Sequence, residues 1–181
     1  ALPALRAQLV IVVDGLRPDY VTPELMPRLV RLGQRGVVFN AHHSVLPTVT
    51  RVNASSIATG AYPETHGLLG NTVYIPAVDA KMGLDTGSRE NLEAIARASG
   101  PLLTASSLGE ILQGAGKKLF AVGSGTSGAA FLLNHTVGTG AISHQEFTRP
   151  EALGAHVLEK LGPPPAAAMP NAALNTRAVD A

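Results

Sequence analysis

The segment QLVIVVD (8–14) restricts the fold more than any other stretch of the sequence. It is a short run of mostly β-branched apolar residues that closes on Asp14. Such a strand is typical of a parallel sheet that is buried on both faces, and it delivers its last side chain to the carboxyl edge of the sheet. Functional sites of α/β proteins are built at this edge. The segment therefore predicts an α/β fold with Asp14 at a candidate site.

The rest of the chain alternates between helical and strand patterns. Helical patterns cover 23–36, 46–60, 89–100, 106–116 and 149–162, and strand patterns cover 37–45 and 118–124. Pro27 restricts the start of the first helix to its first turn, and glycines end most of the helices. The alternation predicts a three-layer α/β sandwich with a mostly parallel central sheet covered by helices.

The length of 181 residues suits a single domain. GPPPAAAMP (162–170) is a Pro/Ala connector that cannot hold regular structure, and NAALNTRAVDA (171–181) has the pattern of a helix cut off before any stop signal. We therefore expect one partial catalytic domain over 1–181 that is truncated at its C-terminus.

Composition excludes several classes of protein. The net charge is +1 and the 14 Lys and Arg residues are scattered, so we expect no nucleic-acid partner. No apolar stretch reaches the roughly 18 residues that a membrane span needs. The absence of Cys excludes thiol catalysis and Cys-ligated zinc, so any metal site must use His, Asp, Glu and hydroxyl groups.

Three segments carry candidate chemistry: VVDGLRPDY (12–20), PTVTRVN (47–53) and TGAYPETHGLLGN (59–71). A Thr hydroxyl becomes an effective nucleophile for phosphoryl transfer only when a metal removes its proton, and a nearby aspartate can hold that metal. A helix that starts near Thr50 adds N–H donors and partial positive charge for a phosphate. The Asn71 amide can complete this cradle.

These motifs resemble the type I phosphodiesterase/nucleotide pyrophosphatase family of the alkaline-phosphatase superfamily. That family has an Asp-Gly after its first strand, then Pro-Thr-x-Thr, then Thr-Gly-x-Tyr-Pro-x-x-His-Gly-x-x-x-Asn, in the order found here. The spacing between Thr50 and Asn71 also agrees. The resemblance is dense over 8–71 and loose over 118–134, where a strand, a loop and a helix are expected.

The resemblance implies metal-dependent hydrolysis of a small-molecule phosphoester or nucleotide through a phospho-threonine. Asp14 would be a zinc ligand, Thr50 both the nucleophile and the second ligand of that zinc, and Asn71 the donor to a phosphate oxygen. Phosphodiesters and monoesters would both fit. Asn53 agrees with the family, but Arg51 and Val52 replace its Phe-Pro and Ala54 replaces its His. These changes concern substrate recognition.

The complete family site holds two zinc ions, and its later ligands are absent from this sequence. Those ligands are an Asp-x-x-x-His, an Asp-His pair and a final His. His135, His144 and His156 do not follow an Asp at these positions. The sequence therefore predicts half of a metal site, and a non-catalytic fragment is an alternative function.

A second alternative is a nucleotide-binding α/β module. GSGTSG (123–128) is a formal G-x-G-x-x-G after the strand KLFAV, and Glu146 follows it at a suitable distance. Glycines required for a tight turn are the simpler interpretation. Likewise Thr50 could be a helix cap, and His66 more often fixes its turn by hydrogen bonds than binds metal.

The chain begins ALPALRAQ without Met and without the apolar region of a signal peptide, which fits either a processed mature end or an end introduced for expression. We expect a periplasmic or secreted protein, with the cytoplasm left open. The sequence indicates no oligomeric state.

Overall fold

The computed structural model describes residues 7–163. The chain divides into two compact units, with the boundary between His43 and Ser44.

The first unit contains a 3-10 helix, Pro18–Tyr20, and the helix α1, Pro27–Arg35. Pro27 is the first residue of α1, as the sequence predicted, because proline lacks the N–H that would have no helical partner at this position. Leu29 and Leu32 of α1 are both exposed.

The predicted strands at 8–14 and 37–45 do not form in this structure. Leu9 to Val13 are 55–83% exposed, and neither segment has regular structure. Strand backbone groups need the hydrogen bonds of a neighbouring strand, and within residues 7–163 no strand pairs with either segment. An apolar run indicates a preference for burial in a sheet, but it does not supply the partner strands.

The second unit contains six helices among its described residues. They are α2 (Thr50–Thr59), α3 (Pro63–His66), α4 (Arg89–Ser99), α5 (Leu108–Gly114), α6 (Ser127–Leu132) and α7 (Ala152–Leu161). Local signals explain several ends: α2 stops at Gly60 in the left-handed conformation, and α5 starts with a capping box between Ser107 and Glu110. α2, α4, α5 and α7 confirm the helical patterns predicted in this part of the chain, whereas α3 was not predicted.

The strands form two small sheets. β1 (Thr72–Val73) pairs antiparallel with β2 (Leu84–Asp85). In the second sheet β4 (Ala141–His144) lies between β3 (Phe120–Val122), to which it is parallel, and β5 (Phe147–Arg149), to which it is antiparallel. The structure is therefore α/β, but its sheets are small and mixed, and the mostly parallel central sheet is not observed in the described part of the chain.

The core of the second unit determines which face of α2 is buried. Leu92, Leu132 and Ile142 are completely buried at its centre. α2 packs on α6, and α6 packs on β4. Ala54 of α2 belongs to this core, and Val52, Ser55 and Ala58 of the same helix are also buried. Thr50, at the start of the helix, is exposed.

Most of the predicted connector, residues 164–170, and the predicted helix 171–181 lie outside the described residues. Among the helices described for residues 7–163, none has the length and apolar character required to cross a membrane.

Candidate active site

Thr50 is the first residue of α2 and not its cap. The N-cap is Val49, an extended residue, and no side chain caps the helix. Because the first turn of a helix has N–H groups without helical partners and partial positive charge, an anion is favoured at this end. Thr50 is exposed at this end of α2. Its hydroxyl group therefore lies at a helix start of the kind that favours anions.

Asn53 fixes the loop that leads into α2. Its amide nitrogen donates to the carbonyl oxygens of Val45, Pro47 and Val49 at 3.4, 3.3 and 3.1 Å, and its side-chain oxygen accepts from the Val45 amide at 3.0 Å. The oxygen and the nitrogen of the Asn53 side-chain amide therefore both form hydrogen bonds. The hydrogen bonds hold the Pro-Thr-x-Thr loop and so determine where Thr50 starts the helix.

Arg51, the next residue of α2, connects the helix to the Asn71 region. Its guanidinium group pairs with the Asp85 carboxylate at 2.8 Å and lies 3.5 Å from the Asn71 carbonyl oxygen. The structure therefore brings the start of α2 and the Asn71 backbone together. The Asn71 side-chain oxygen is buried and has no hydrogen-bond partner.

His66 is completely buried between α2 and the segment that leads to Asn71. Its Nδ1 atom accepts a hydrogen bond from the Leu68 amide, and its Nε2 atom contacts the Ser56 hydroxyl. Burial lowers the pKa of His66, while its own backbone acts in the opposite direction. His66 thus fixes its turn as a neutral ring, as the sequence indicated.

Asp14 belongs to the first unit, whereas Thr50 and Asn71 belong to the second. It is exposed in a turn, and Gly15, which follows it, has a φ of 74°, a left-handed conformation that favours glycine. The convergence of Asp14 with the other two residues remains a prediction.

The zinc site expected from the sequence, with Asp14 and Thr50 as ligands, stays a prediction. Two oxygen donors are fewer than the three or four protein ligands that zinc sites in proteins use. Within residues 7–163 no group of three or more His, Asp or Glu residues is arranged to hold a metal. The His156 and Glu159 pair lies on an exposed face of α7, where such pairs are common.

Two glycines of GSGTSG (123–128), Gly123 and Gly128, are required for close packing. A Cβ atom on Gly128 would overlap the Thr86 carbonyl oxygen and the Gly87 backbone, and one on Gly123 would overlap Ala130. The Gly128 amide donates to the Gly87 carbonyl oxygen at 2.8 Å. This close packing favours the structural interpretation of the loop over a dinucleotide site. The strand, loop and helix expected over 118–134 are confirmed as β3, the loop and α6.

Sequence reasoning did not find the contacts that Arg51 makes with Asp85 and Thr86. These partners lie 34 and 35 residues beyond Arg51. A local pattern could not connect them, and the departure from the family at position 51 was the only available signal.

The chain was compared with known proteins. The family model described as type I phosphodiesterase/nucleotide pyrophosphatase matches residues 8–167. Venom phosphodiesterase 2 of Crotalus adamanteus is 35% identical over 81 residues, which are 44% of this chain and 10% of that protein. Human ectonucleotide pyrophosphatase/phosphodiesterase family member 1 is 35% identical over 83 residues, which are 45% of this chain and 9% of that protein.

An uncharacterized pyrophosphatase/phosphodiesterase of Schizosaccharomyces pombe is 37% identical over 68 residues, which are 38% of this chain and 14% of that protein. The matched region thus spans about a tenth of the length of the first relatives. No solved structure gives a significant match. Because the family model covers most of the sequence, the chain belongs to the type I phosphodiesterase/nucleotide pyrophosphatase family.

Proposed function

We propose that this chain carries the nucleophile end of a metal-dependent phosphodiesterase site, with Thr50 as the nucleophile. The supporting observation is the position of Thr50, which is exposed and is the first residue of α2. The loop that precedes it is held by four hydrogen bonds from the Asn53 side chain. A nucleophile held in this way is pre-oriented, which lowers the entropic part of the reaction barrier.

In the proposed reaction the Thr50 hydroxyl group gives up its proton, and its oxygen forms a bond to phosphorus while the ester bond to one alcohol breaks. The leaving oxygen keeps the electron pair and takes up a proton, and the remaining phosphoryl group stays on Thr50. Water then attacks phosphorus, the bond to Thr50 breaks, and its oxygen regains a proton. The N–H groups at the start of α2 and the Asn71 amide stabilise the negative charge on the phosphoryl oxygens.

We propose zinc as the metal, with Asp14 and Thr50 among its ligands. When bound, zinc lowers the pKa of a coordinated hydroxyl group. Two zinc ions are expected in a complete site, and within residues 7–163 no group of three or more His, Asp or Glu residues could hold a metal ion. Asp14 and Thr50 account for the first metal position alone.

We propose small-molecule phosphoesters or nucleotides as substrates, in line with the names of the relatives. Those names include a venom enzyme and an ectonucleotide enzyme, which supports a periplasmic or secreted location for this protein. A secretion reporter fused to the natural gene tests the location, and a reporter that stays in the cytoplasm contradicts it.

Covalent trapping tests the proposed function. The chain is incubated with a nitrophenyl phosphodiester and zinc, quenched in acid, digested and analysed by mass spectrometry. We expect a phosphoryl adduct on the peptide that contains Thr50, and its loss in Thr50→Ala. An adduct on another residue contradicts the assignment of the nucleophile.

A further inference from the structure

Arg51 directly follows Thr50, and its guanidinium group reaches a cluster 20 to 35 residues further along the chain. One terminal nitrogen lies 2.8 Å from the Asp85 carboxylate and 3.5 Å from the Asn71 carbonyl oxygen. The Nε atom lies 3.5 Å from the Thr86 hydroxyl oxygen. The Arg51 side chain thus joins the first turn of α2 to Asn71, which precedes β1, and to Asp85 and Thr86, at the end of β2.

Thr86, which Arg51 contacts, is itself hydrogen-bonded to Asn71. Its hydroxyl group donates to the Asn71 carbonyl oxygen at 2.8 Å, and its backbone amide donates to the same oxygen at 2.9 Å. Thr86 is completely buried. The Asn71 carbonyl oxygen therefore receives hydrogen bonds from Thr86 and Arg51, which restricts the backbone that carries the Asn71 amide.

Asp85 forms an ion pair with Arg51. The Arg51 side chain is 15% exposed, so it is largely removed from solvent. The Asp85 carboxylate also accepts from the Gly87 amide at 2.8 Å. A Cβ atom on Gly87 would lie 3.0 Å from this carboxylate and 3.3 Å from the guanidinium group, so the glycine leaves room for the pair.

We propose that Arg51 is a positioning residue, which fixes Asn71 at a set place beside Thr50 and does not bind substrate itself. This inference rests on the proposed function, in which Asn71 donates to a phosphoryl oxygen. The planar guanidinium group offers donors in several directions at once, whereas a lysine ammonium group acts as a compact point charge. Lysine at position 51 can keep the ion pair with Asp85, but it cannot also make the contacts with the Asn71 carbonyl oxygen and the Thr86 hydroxyl group.

The test compares Arg51→Met, Arg51→Lys and a matched control, Arg89→Met. Arg89 is 18% exposed at its side chain and also pairs with carboxylates, those of Glu90 and Glu93 on α4. Amide hydrogen exchange is measured by NMR at Thr86 without substrate or metal, at conditions of equal global stability. Steady-state kinetics with a nitrophenyl phosphodiester at saturating zinc provide kcat and KM.

We expect Arg51→Met to raise the exchange rate of the Thr86 amide about tenfold, because loss of the guanidinium group lets the Asn71 segment open locally. Arg51→Lys should lie between this variant and wild type, and Arg89→Met should match wild type. In the kinetics, kcat should fall about tenfold or more in Arg51→Met with KM nearly unchanged, and Arg51→Lys should recover part of it.

Equal Thr86 exchange in Arg51→Met and Arg89→Met overturns the inference. A raised KM with unchanged kcat also overturns it, because Arg51 would then bind substrate. Failure of the proposed function is seen separately, as wild-type turnover in Thr50→Ala. The exchange measurement does not depend on that result, so it still decides whether Arg51 fixes Asn71.

Discussion

The Nε2 atom of His66 lies 3.0 Å from the hydroxyl oxygen of Ser56, which ties the turn after α3 to the helix that starts at Thr50. Nδ1 accepts from the Leu68 amide at 3.2 Å and is therefore unprotonated. The ring proton must lie on Nε2, which donates to Ser56. Protonation of Nδ1 would break the bond to Leu68, so this connection requires a neutral ring.

The stability of the protein should depend on pH through its buried histidines. Burial lowers the pKa of His66, His135 and His144 below the ordinary value. The unfolded chain then binds more protons than the folded chain near the ordinary His pKa of about 6.5. The free energy of unfolding should be constant above about pH 7, fall as the pH drops through about 6.5, and level off below the lowered pKa values.

Urea unfolding at a series of pH values measures this dependence. His66→Gln should reduce the slope of the free energy of unfolding against pH, because it removes one of the buried rings whose pKa is lowered. A stability that rises as the pH falls through this range contradicts the assignment of neutral buried rings.

The close packing of Gly128 predicts a loss of stability in Gly128→Ala. The added methyl group would overlap the Thr86 carbonyl oxygen and the Gly87 backbone. Overpacking of this kind costs about 1–3 kcal/mol. Gly114→Ala is the matched control, because a Cβ atom at Gly114 meets nothing within 4 Å. Thermal and urea unfolding compare the two variants.

Equal stability of both alanine variants would show that the loop has room for side chains. A nucleotide role for 123–128 makes a different prediction, which is saturable quenching of NADH fluorescence by the wild-type chain. We expect no such quenching.

The chain should bind zinc weakly and turn over phosphodiesters poorly, because the number of ligands governs both affinity and the stabilisation of the transition state. Titration calorimetry with zinc measures the affinity. Asp14→Asn should weaken it further, since the substitution removes a carboxylate ligand. Tight binding of two zinc ions per chain would show that the proposed account of the missing ligands is wrong.

Asn71→Ala should lower kcat by about 10²–10³, the effect typical of removing one donor to a transition-state oxyanion. The exposed Asn40 provides a control for the loss of an amide. Kinetics with a nitrophenyl phosphodiester at saturating zinc compare Asn71→Ala with Asn40→Ala. An unchanged kcat in Asn71→Ala would remove Asn71 from the site.

The sequence predicted the helices better than the strands. α2 and α5 are determined by local signals, the left-handed Gly60 and the capping box of Ser107 with Glu110. The strand prediction at 8–14 required partner strands that a local pattern does not provide. β4 and β5 were not predicted, because their residues carry too short an alternation to distinguish them from a loop.

The candidate site shows the same division. Thr50 and Asn71 could be predicted as site residues because they lie in motifs with fixed local spacing. The contacts around Asn71 could not be predicted, because the ion pair between Arg51 and Asp85 depends on how β1, β2 and α2 pack together. The role of Asn53 also became clear only from its bonds to the preceding loop.

The most direct test of the account is the turnover of a nitrophenyl phosphodiester at saturating zinc by Thr50 variants of the complete enzyme. Thr50→Ala removes the attacking oxygen and should leave the fold intact, which circular dichroism checks. Thr50→Ser keeps an oxygen and loses only the methyl group that restricts the rotamer, so it should retain appreciable turnover. We predict that wild type is most active, followed by Thr50→Ser, then Asn71→Ala, with Thr50→Ala lowest. A folded Thr50→Ala variant with full activity would contradict the account and make Thr48 the next candidate for the nucleophile.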